Sequence, residues 1–320
     1  MQKKKAGHSR PPRKKSGDAK TMSKIDTMEK TTGSKMIVKK GNGNQGNWWM
    51  KQPSYRLAFE DDEFINRPEL RPLRLQLELQ KTETMLTEHN IKSTIVVFGG
   101  TRILEPQECQ KQVKALEAEL KKNPRDPQLL KKLSIAKRVQ AKSGFYAEAR
   151  HFAELVSSES QDGKEAEYVI VTGGGPGIME AANRGASEIG AKSIGLNITL
   201  PHEQKPNAYI TPDLCFQFRY FAIRKMHFVM RAKALVVFPG GFGTLDELFE
   251  GLTLLQTGKT THLPIILFGK DYWTQLINID FMVAEGVIDP EDLKLFRFAD
   301  TAEEAWEMIK NYHTAPIGWK

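Results

Sequence analysis

Cysteine is nearly absent from this 320-residue chain, which has only Cys109 and Cys215. That excludes a disulfide framework and a cysteine zinc site, and makes a reducing cytoplasm the expected setting. No apolar run approaches the roughly 20 residues of a membrane span. The lysine-rich N-terminus has no apolar stretch behind it, so neither a membrane anchor nor a signal peptide is expected. No group of His, Cys, Asp and Glu stands at metal-ligand spacing. What is present is a hydrophobic share of 40%, ample for a core, on a length that allows one large α/β domain or two small ones.

Charge is unevenly spread. The net charge is +8, yet residues 1–52 hold 14 Lys/Arg against 3 Asp/Glu and the remaining chain 33 against 36. The basic character therefore belongs to a tail rich in Lys, Gly, Asn, Thr and Ser, which reads as disordered. Trp48 and Trp49 are its candidates for docking on the body. A basic arm of this kind can touch nucleic acid or anionic surfaces, although the commoner role is simply a soluble arm.

The densest signal lies at residues 234–253. Ala234-Leu235-Val236-Val237-Phe238 is a continuous apolar run of the sort found in buried parallel strands. Pro239-Gly240-Gly241-Phe242-Gly243-Thr244 follows, and then a helix with Leu245, Leu248, Phe249 and Leu252 on one face. Strand, glycine turn and helix aim backbone N–H groups and a positive helix end at a phosphate. Thr244 is placed to cap that helix or to offer its hydroxyl to a phosphate oxygen. Glu247 lies one turn in, facing the same ligand.

Taken in order, residues 53–92 form a helical extension, with a helical pattern from Asp61 to Asn90. The strand at 93–98 ends in Gly99-Gly100-Thr101-Arg102, a glycine turn where open α/β sheets bind ligands. Residues 105–143 look like an inserted helical hairpin broken at Asn123–Pro127, and a helix resumes from Phe145 to Ser158. A second strand, glycine loop and helix follows in Tyr168–Val171, Gly173-Gly174-Gly175-Pro176-Gly177 and the helix through Ile189. As a dinucleotide fingerprint this loop fits poorly, because Pro176 and the unbroken triplet replace the usual spacing and no acidic residue ends the next strand, 193–197. A nicotinamide oxidoreductase therefore ranks low. Two such loops in one sheet favour a phosphorylated ligand. His202 and Glu203 lie in a polar loop as candidate ligands or acid–base groups. Strand 214–218 precedes a helix from Arg219 to Arg231 carrying Arg224 and Lys225. Strand 263–268, a helix from Tyr272 to Ala284, strand 296–298 and a helix from Ala302 to Tyr312 complete the chain. The β-α alternation predicts a doubly wound, mostly parallel sheet in one domain, residues 93–315.

The segment Pro239–Glu247 resembles the PGGxGTxxE motif of the LOG (Lonely guy) family, nucleoside 5′-monophosphate phosphoribohydrolases that include enzymes releasing free cytokinin bases. Gly173–Glu180 is similar to that family's GGGxxGxM segment, and Arg224-Lys225 to its Arg-Lys pair. The resemblance covers residues 93–315. It implies a Rossmann-like fold, a homodimer or higher oligomer, and catalytic roles for Arg224 and Glu247. Lys225 belongs with the substrate residues, Glu203 falls near the family's upstream substrate glutamate, and Thr253 near a threonine that follows the loop. Some members carry an old lysine decarboxylase label, for which no residue pattern here supports a pyridoxal Schiff base. The tail, the 105–143 insertion and the 200–207 loop depart from compact members.

The expected chemistry is hydrolysis of the N-glycosidic bond of AMP or an N6-modified cytokinin nucleotide, giving free base and ribose 5-phosphate through an oxocarbenium-like transition state. Gly240, Gly241, Gly243 and Thr244 would hold the phosphate, with the Gly99-Gly100 and Gly173–Gly177 turns beside it. Glu247 would hold the ribose hydroxyls or position water, and Arg224 would orient the nucleotide. No metal or cofactor is required. The alternatives are a nucleotide-sensing protein of the same fold that turns nothing over, and a DNA-binding protein.

Overall fold

Five runs rich in β-branched and aliphatic residues and two in which phenylalanine alternates with polar residues form strands: β1 (Thr94–Phe98), β2 (Val169–Thr172), β3 (Ser193–Ile198), β4 (Cys215–Phe218), β5 (Ala232–Val237), β6 (Ile265–Phe268) and β7 (Phe296–Ala299), the phenylalanine pair being β4 and β7. In this computed structural model, which describes residues 47–161, 166–201, 205–260 and 263–314, they make one sheet in the order β4-β3-β2-β1-β5-β6-β7. Every pairing is parallel. The mostly parallel, doubly wound α/β sheet expected from the alternation is thus found, and β1 stands at its centre.

Strand alternation assigns the two faces. Ile95, Val97, Ile170, Val236, Ile266 and Phe268 point to one side, where they meet α5 (Gly144–Ser160), α6 (Ile178–Glu188) and α11 (Ala302–Thr314). Val96, Phe98, Val171, Leu196, Leu235, Val237 and Leu267 point to the other. There they meet α2 (Arg71–Glu88), α7 (Phe221–Met230) and α8 (Phe242–Gln256). Helices on both faces make the central strands apolar on both sides, which is why they read as unbroken hydrophobic runs.

The close crossing of α5 and α6 depends on Gly185. A Cβ there would run into the carbonyl of Arg150 and stand 3.1 Å from Ala153 Cβ. Because the obstacle is backbone, the helices must part to admit a methyl group. Gly185→Ala is therefore expected to cost about 1–2 kcal/mol net, overpacking outweighing the roughly 1 kcal/mol of helix propensity that alanine adds. Urea unfolding measures it.

Several boundaries differ from the sequence expectation. The helical pattern from Asp61 to Asn90 divides into α1 (Asp62–Ile65), a 3-10 turn at Pro68–Leu70 and α2. Pro68 and Pro72 cannot continue a helix begun before them, and each instead sits in the first turn of a new one. The single helix expected over Tyr272–Ala284 is two, α9 (Lys270–Leu276) and α10 (Ile279–Ala284). Asn278 ends the first run by capping the second, its side chain accepting from Phe281 N at 3.0 Å. In the 105–143 segment α3 (Pro106–Lys122) and α4 (Pro127–Gln140) are joined by residues 123–126, and Asp126 caps α4 through Gln128 N and Leu129 N. The expected disordered tail lies outside the described residues up to 46. Beyond it, Trp48–Lys51 and Pro53–Tyr55 form exposed 3-10 turns.

Candidate functional site

Strand order brings together what the sequence keeps apart. The carboxyl ends of β1, β2, β3 and β5 are consecutive along one edge of the sheet, on both sides of the point where the chain's winding reverses. This is where open α/β sheets bind ligands. A cleft of about 330 Å³ opens there, lined by Gly99, Gly100 and Thr101 after β1, Gly173 after β2, Asn197 and Ile198 at the end of β3, and Gly241, Gly243, Thr244 and Glu247 after β5. Arg224 reaches it from α7.

The first turn of α8 forms one wall. The helix begins at Phe242, with Gly241 at the N-cap and no side-chain cap. Thr244 is thus inside the helix rather than its cap, and it is buried against Gly240, whose hypothetical Cβ would collide with its hydroxyl. The leading N–H groups of α8 have no intrahelical partner. Gly241 and Gly243 line the cleft, yet a Cβ on either would meet nothing within 4 Å. Packing within the chain therefore does not require glycine at either position.

The other glycines serve the frame. A Cβ at Gly99 would stand 2.5 Å from Ile178 Cγ2, and one at Gly173 2.6 Å from Arg224 Nη2. Gly174 and Gly177 have positive φ, both 75°, a conformation that costs most side chains strain. The loop they shape is held by buried polar groups: Thr172 Oγ1 accepts from Gly174 N at 2.9 Å and donates to Asn183 at 2.7 Å, and Asn207 Nδ2 donates to the carbonyls of Gly174 and Gly175. Gly174, Gly175, Gly177 and Gly240 shape the turns without lining the cleft. Tyr272 fixes Gly240, donating its hydroxyl to that carbonyl at 2.6 Å.

Arg224 sets its guanidinium carbon over the ring of Phe228, 5.1 Å from its centroid, and donates Nε to Leu196 O at 2.7 Å. One edge of the guanidinium is thereby fixed. Among the described residues its Nη atoms have no hydrogen-bond partner, leaving them for an occupant of the cleft. Burial lowers its pKa, and Glu247 opposes that shift.

Glu247 is only 10% exposed at its side chain. Burial pushes its carboxyl up to about 7. Lys225 at 4.0 Å and Arg224 pull the other way, while Glu250 and Asp246 add to the rise. Lys225 does not line the cleft. It bridges Asp246 at 2.8 Å and Glu250 at 3.0 Å, and those carboxylates, with Glu247, outweigh its own burial and raise its pKa. Lys225→Met removes the nearest cation from Glu247 and leaves two more carboxylates uncompensated. The Glu247 titration is expected to move further alkaline, read as a shift of the acidic limb of any pH–rate profile.

Thr253 is exposed on α8 with its hydroxyl donated to Phe249 O at 2.7 Å, outside the cleft. Glu203, with His202, lies outside the described residues. The apolar wall has no counterpart among the residues expected from sequence. Phe98, Met179, Ile198, Leu200, Phe221 and Phe228 face the cleft, and the exposed Phe221 is the available clue to it.

A buried carboxyl, a fixed arginine and a glycine turn at a helix N-terminus thus meet in one cleft at the carboxyl edge of a parallel α/β sheet. The family model described as "Possible lysine decarboxylase" matches residues 179–309. "Cytokinin riboside 5′-monophosphate phosphoribohydrolase LOG3" of Arabidopsis thaliana is 30% identical over 149 residues, 45% of this chain and 67% of that protein. "Probable cytokinin riboside 5′-monophosphate phosphoribohydrolase LOGL3" of Oryza sativa subsp. japonica is 36% identical over 91 residues, 28% of this chain and 43% of that protein. The chain belongs to the LOG family. Its match spans less than half of the rice relative's length. Among solved structures, the Moco Carrier Protein from Chlamydomonas reinhardtii is 18% identical, with a TM-score of 0.36 over 52% of this chain and 86% of its own.

Proposed function

We propose that the chain hydrolyses the N-glycosidic bond of a nucleoside 5′-monophosphate, releasing the base and ribose 5-phosphate. The observation that carries the reading is that α8 supplies both ends of such a substrate's needs. Its first turn offers free N–H groups over two glycines that the chain's own packing leaves open, and one turn later, ~6 Å along the axis, stands a buried carboxyl poised near neutrality. A ribose ring bridges a phosphate at the first to its anomeric carbon at the second.

In this scheme the 5′-phosphate rests on Gly241, Gly243 and Thr244, contributing binding energy remote from the reacting carbon. Ionised Glu247 orients the attacking water or the ribose hydroxyls and stabilises the positive charge that develops at the anomeric centre. The Nη atoms of Arg224 orient the nucleotide as the C–N bond breaks. Phe98, Ile198, Phe221 and Phe228 suit a purine face, and their apolar extent suits a hydrophobic N6 substituent on it. A decarboxylase of lysine, as the family description words it, gains no support: no lysine lines the cleft among the described residues, and Lys225 is held by carboxylates.

The test is chromatography of the protein incubated with AMP, GMP, CMP, UMP and isopentenyladenosine monophosphate, beside a Glu247→Ala control. Free base from wild type alone supports the reading and ranks the substrates. Measurable binding without release of any base replaces it with a nucleotide-sensing role.

A further inference from the structure

A second feature stands apart from the cleft. Between residues 121 and 142 the sequence carries eight Lys/Arg and one acidic residue, Asp126. Outside the tail and the 105–143 hairpin, by contrast, 23 Lys/Arg face 31 Asp/Glu. Positive charge in the body is therefore concentrated on one inserted element.

The hairpin's register locates that charge. Lys137 Nζ meets Glu117 Oε1 at 2.8 Å, which sets Lys132 level with Lys122 along the antiparallel helices α3 and α4. Lys121, Lys122, Arg125, Lys131 and Lys132 thus gather in the distal turns. All five are exposed, and none has an ion-pair partner among the described residues. Asp126, the acid at the turn itself, spends its carboxylate capping α4. Residues 122–126 border a shallow depression at the turn. Val113 of α3 and Leu129 and Leu133 of α4 are buried.

Five cations without ion-pair partners in so small a space repel one another, a cost that the attraction of Lys121 to Glu117 offsets only in part. Steering substrate to the cleft does not account for them. The 17 residues of α3 carry the tip ~26 Å from the hairpin's base, beyond the ~8 Å screening length of physiological salt. Cations at the tip act on what touches them.

We propose that the tip of the α3–α4 hairpin docks on the phosphate backbone of a double-stranded nucleic acid. Several observations select that partner. Residues 105–143 contain no Phe, Tyr or Trp, so the hairpin lacks the stacking platforms by which single strands are held. The same lack, with exposed Leu130 and Ile135 five residues apart and so on different faces of α4, denies it the apolar stripe of a membrane-surface helix. Lysine and arginine on rigid helices suit contacts to the phosphate backbone, which carry no sequence information of themselves. The basic tail adds charge of the same sign.

Binding of the full chain to fluorescein-labelled 20-base-pair RNA and DNA duplexes, followed by anisotropy between 50 and 200 mM KCl, tests this. Five phosphate contacts contribute about −4.5 to the slope of log K on log salt, or about 500-fold in affinity across that range. The variant carrying Lys121→Gln, Lys122→Gln, Arg125→Gln, Lys131→Gln and Lys132→Gln should show a slope shallower by about 4 and binding more than tenfold weaker at 50 mM. Its thermal unfolding should come no lower than that of wild type, since none of these side chains forms an ion pair within the described residues and their mutual repulsion is gone. The two duplexes tell an RNA partner from a DNA one. An unchanged slope in the variant overturns the proposal, as does binding to phosphatidylserine vesicles without binding to either duplex.

Discussion

Glu247→Gln is expected to lower turnover by about 10²–10⁴-fold while nucleotide affinity stays within a few-fold of wild type. Glutamine keeps the shape and the hydrogen-bonding reach of the side chain. What it loses is the negative charge facing the anomeric carbon, an interaction that strengthens only as the bond breaks and so acts on the rate rather than on binding. Single-turnover rates and equilibrium binding, measured on the same variant, separate the two. Loss of affinity equal to the loss of rate would instead make Glu247 a binding residue.

The same substitution has a consequence for stability whose sign comes from the titration. The folded carboxyl titrates at about 7 and an ordinary glutamate at 4.5. Between those values the folded state keeps a proton that the unfolded state has released, so stability falls as pH rises through the window. A difference of that size corresponds to about 3 kcal/mol as an upper bound. Glu247→Gln should therefore be more stable than wild type at pH 8 and nearly equal to it at pH 4.5, as read from thermal melts at both. The wild-type kcat/KM should rise with pH through about 7, where the carboxylate forms, and the variant should lack that limb. An inactive but stabilised variant is what an energetically costly buried charge kept for chemistry would leave behind.

Much of this site is legible in the sequence because its parts are local. The proposed phosphate cradle and the buried carboxyl share one strand–turn–helix, Pro239 to Glu247, and the glycine spacing carries the geometry. The apolar wall is not legible in the same way. Phe98, Ile198 and Phe228 come from β1, β3 and α7, and only the strand order places those elements side by side. Tyr272 supports Gly240 from 32 residues away, with nothing local to announce it. Thr244 reads as a cap from sequence, yet the helix starts two residues earlier, on glycines whose low helix propensity hides the first turn. Lys225 resembles a substrate residue beside Arg224, but adjacent helical positions point about 100° apart, and the second one faces the acids of α8. The break at Asn278 shows the same limit from the other side, since a continuous apolar pattern suggests one helix where a cap divides it.

Gly243→Asp is the substitution that separates fold from function most sharply. A Cβ at this position meets nothing within 4 Å, and an acidic residue in the first turn of a helix is favoured by the macrodipole by about 0.3–1 kcal/mol. Thermal stability should therefore hold or rise slightly. The new carboxylate, however, occupies the N–H groups and the space that the 5′-phosphate would use, and it repels the phosphate's charge. Loss of charge-assisted hydrogen bonds worth about 1.5–3 kcal/mol each predicts a KM for nucleoside 5′-monophosphates raised by more than about 100-fold. Binding of the unphosphorylated nucleoside, weak from the start, should change little because it never used that wall. Gly243→Ala should fall between, adding bulk without charge. Should the aspartate variant still bind the monophosphate as tightly as wild type, the phosphate lies elsewhere in the cleft and the open glycines of α8 need another explanation. Should it lose monophosphate and nucleoside alike, the helix end holds the ribose or base rather than the phosphate.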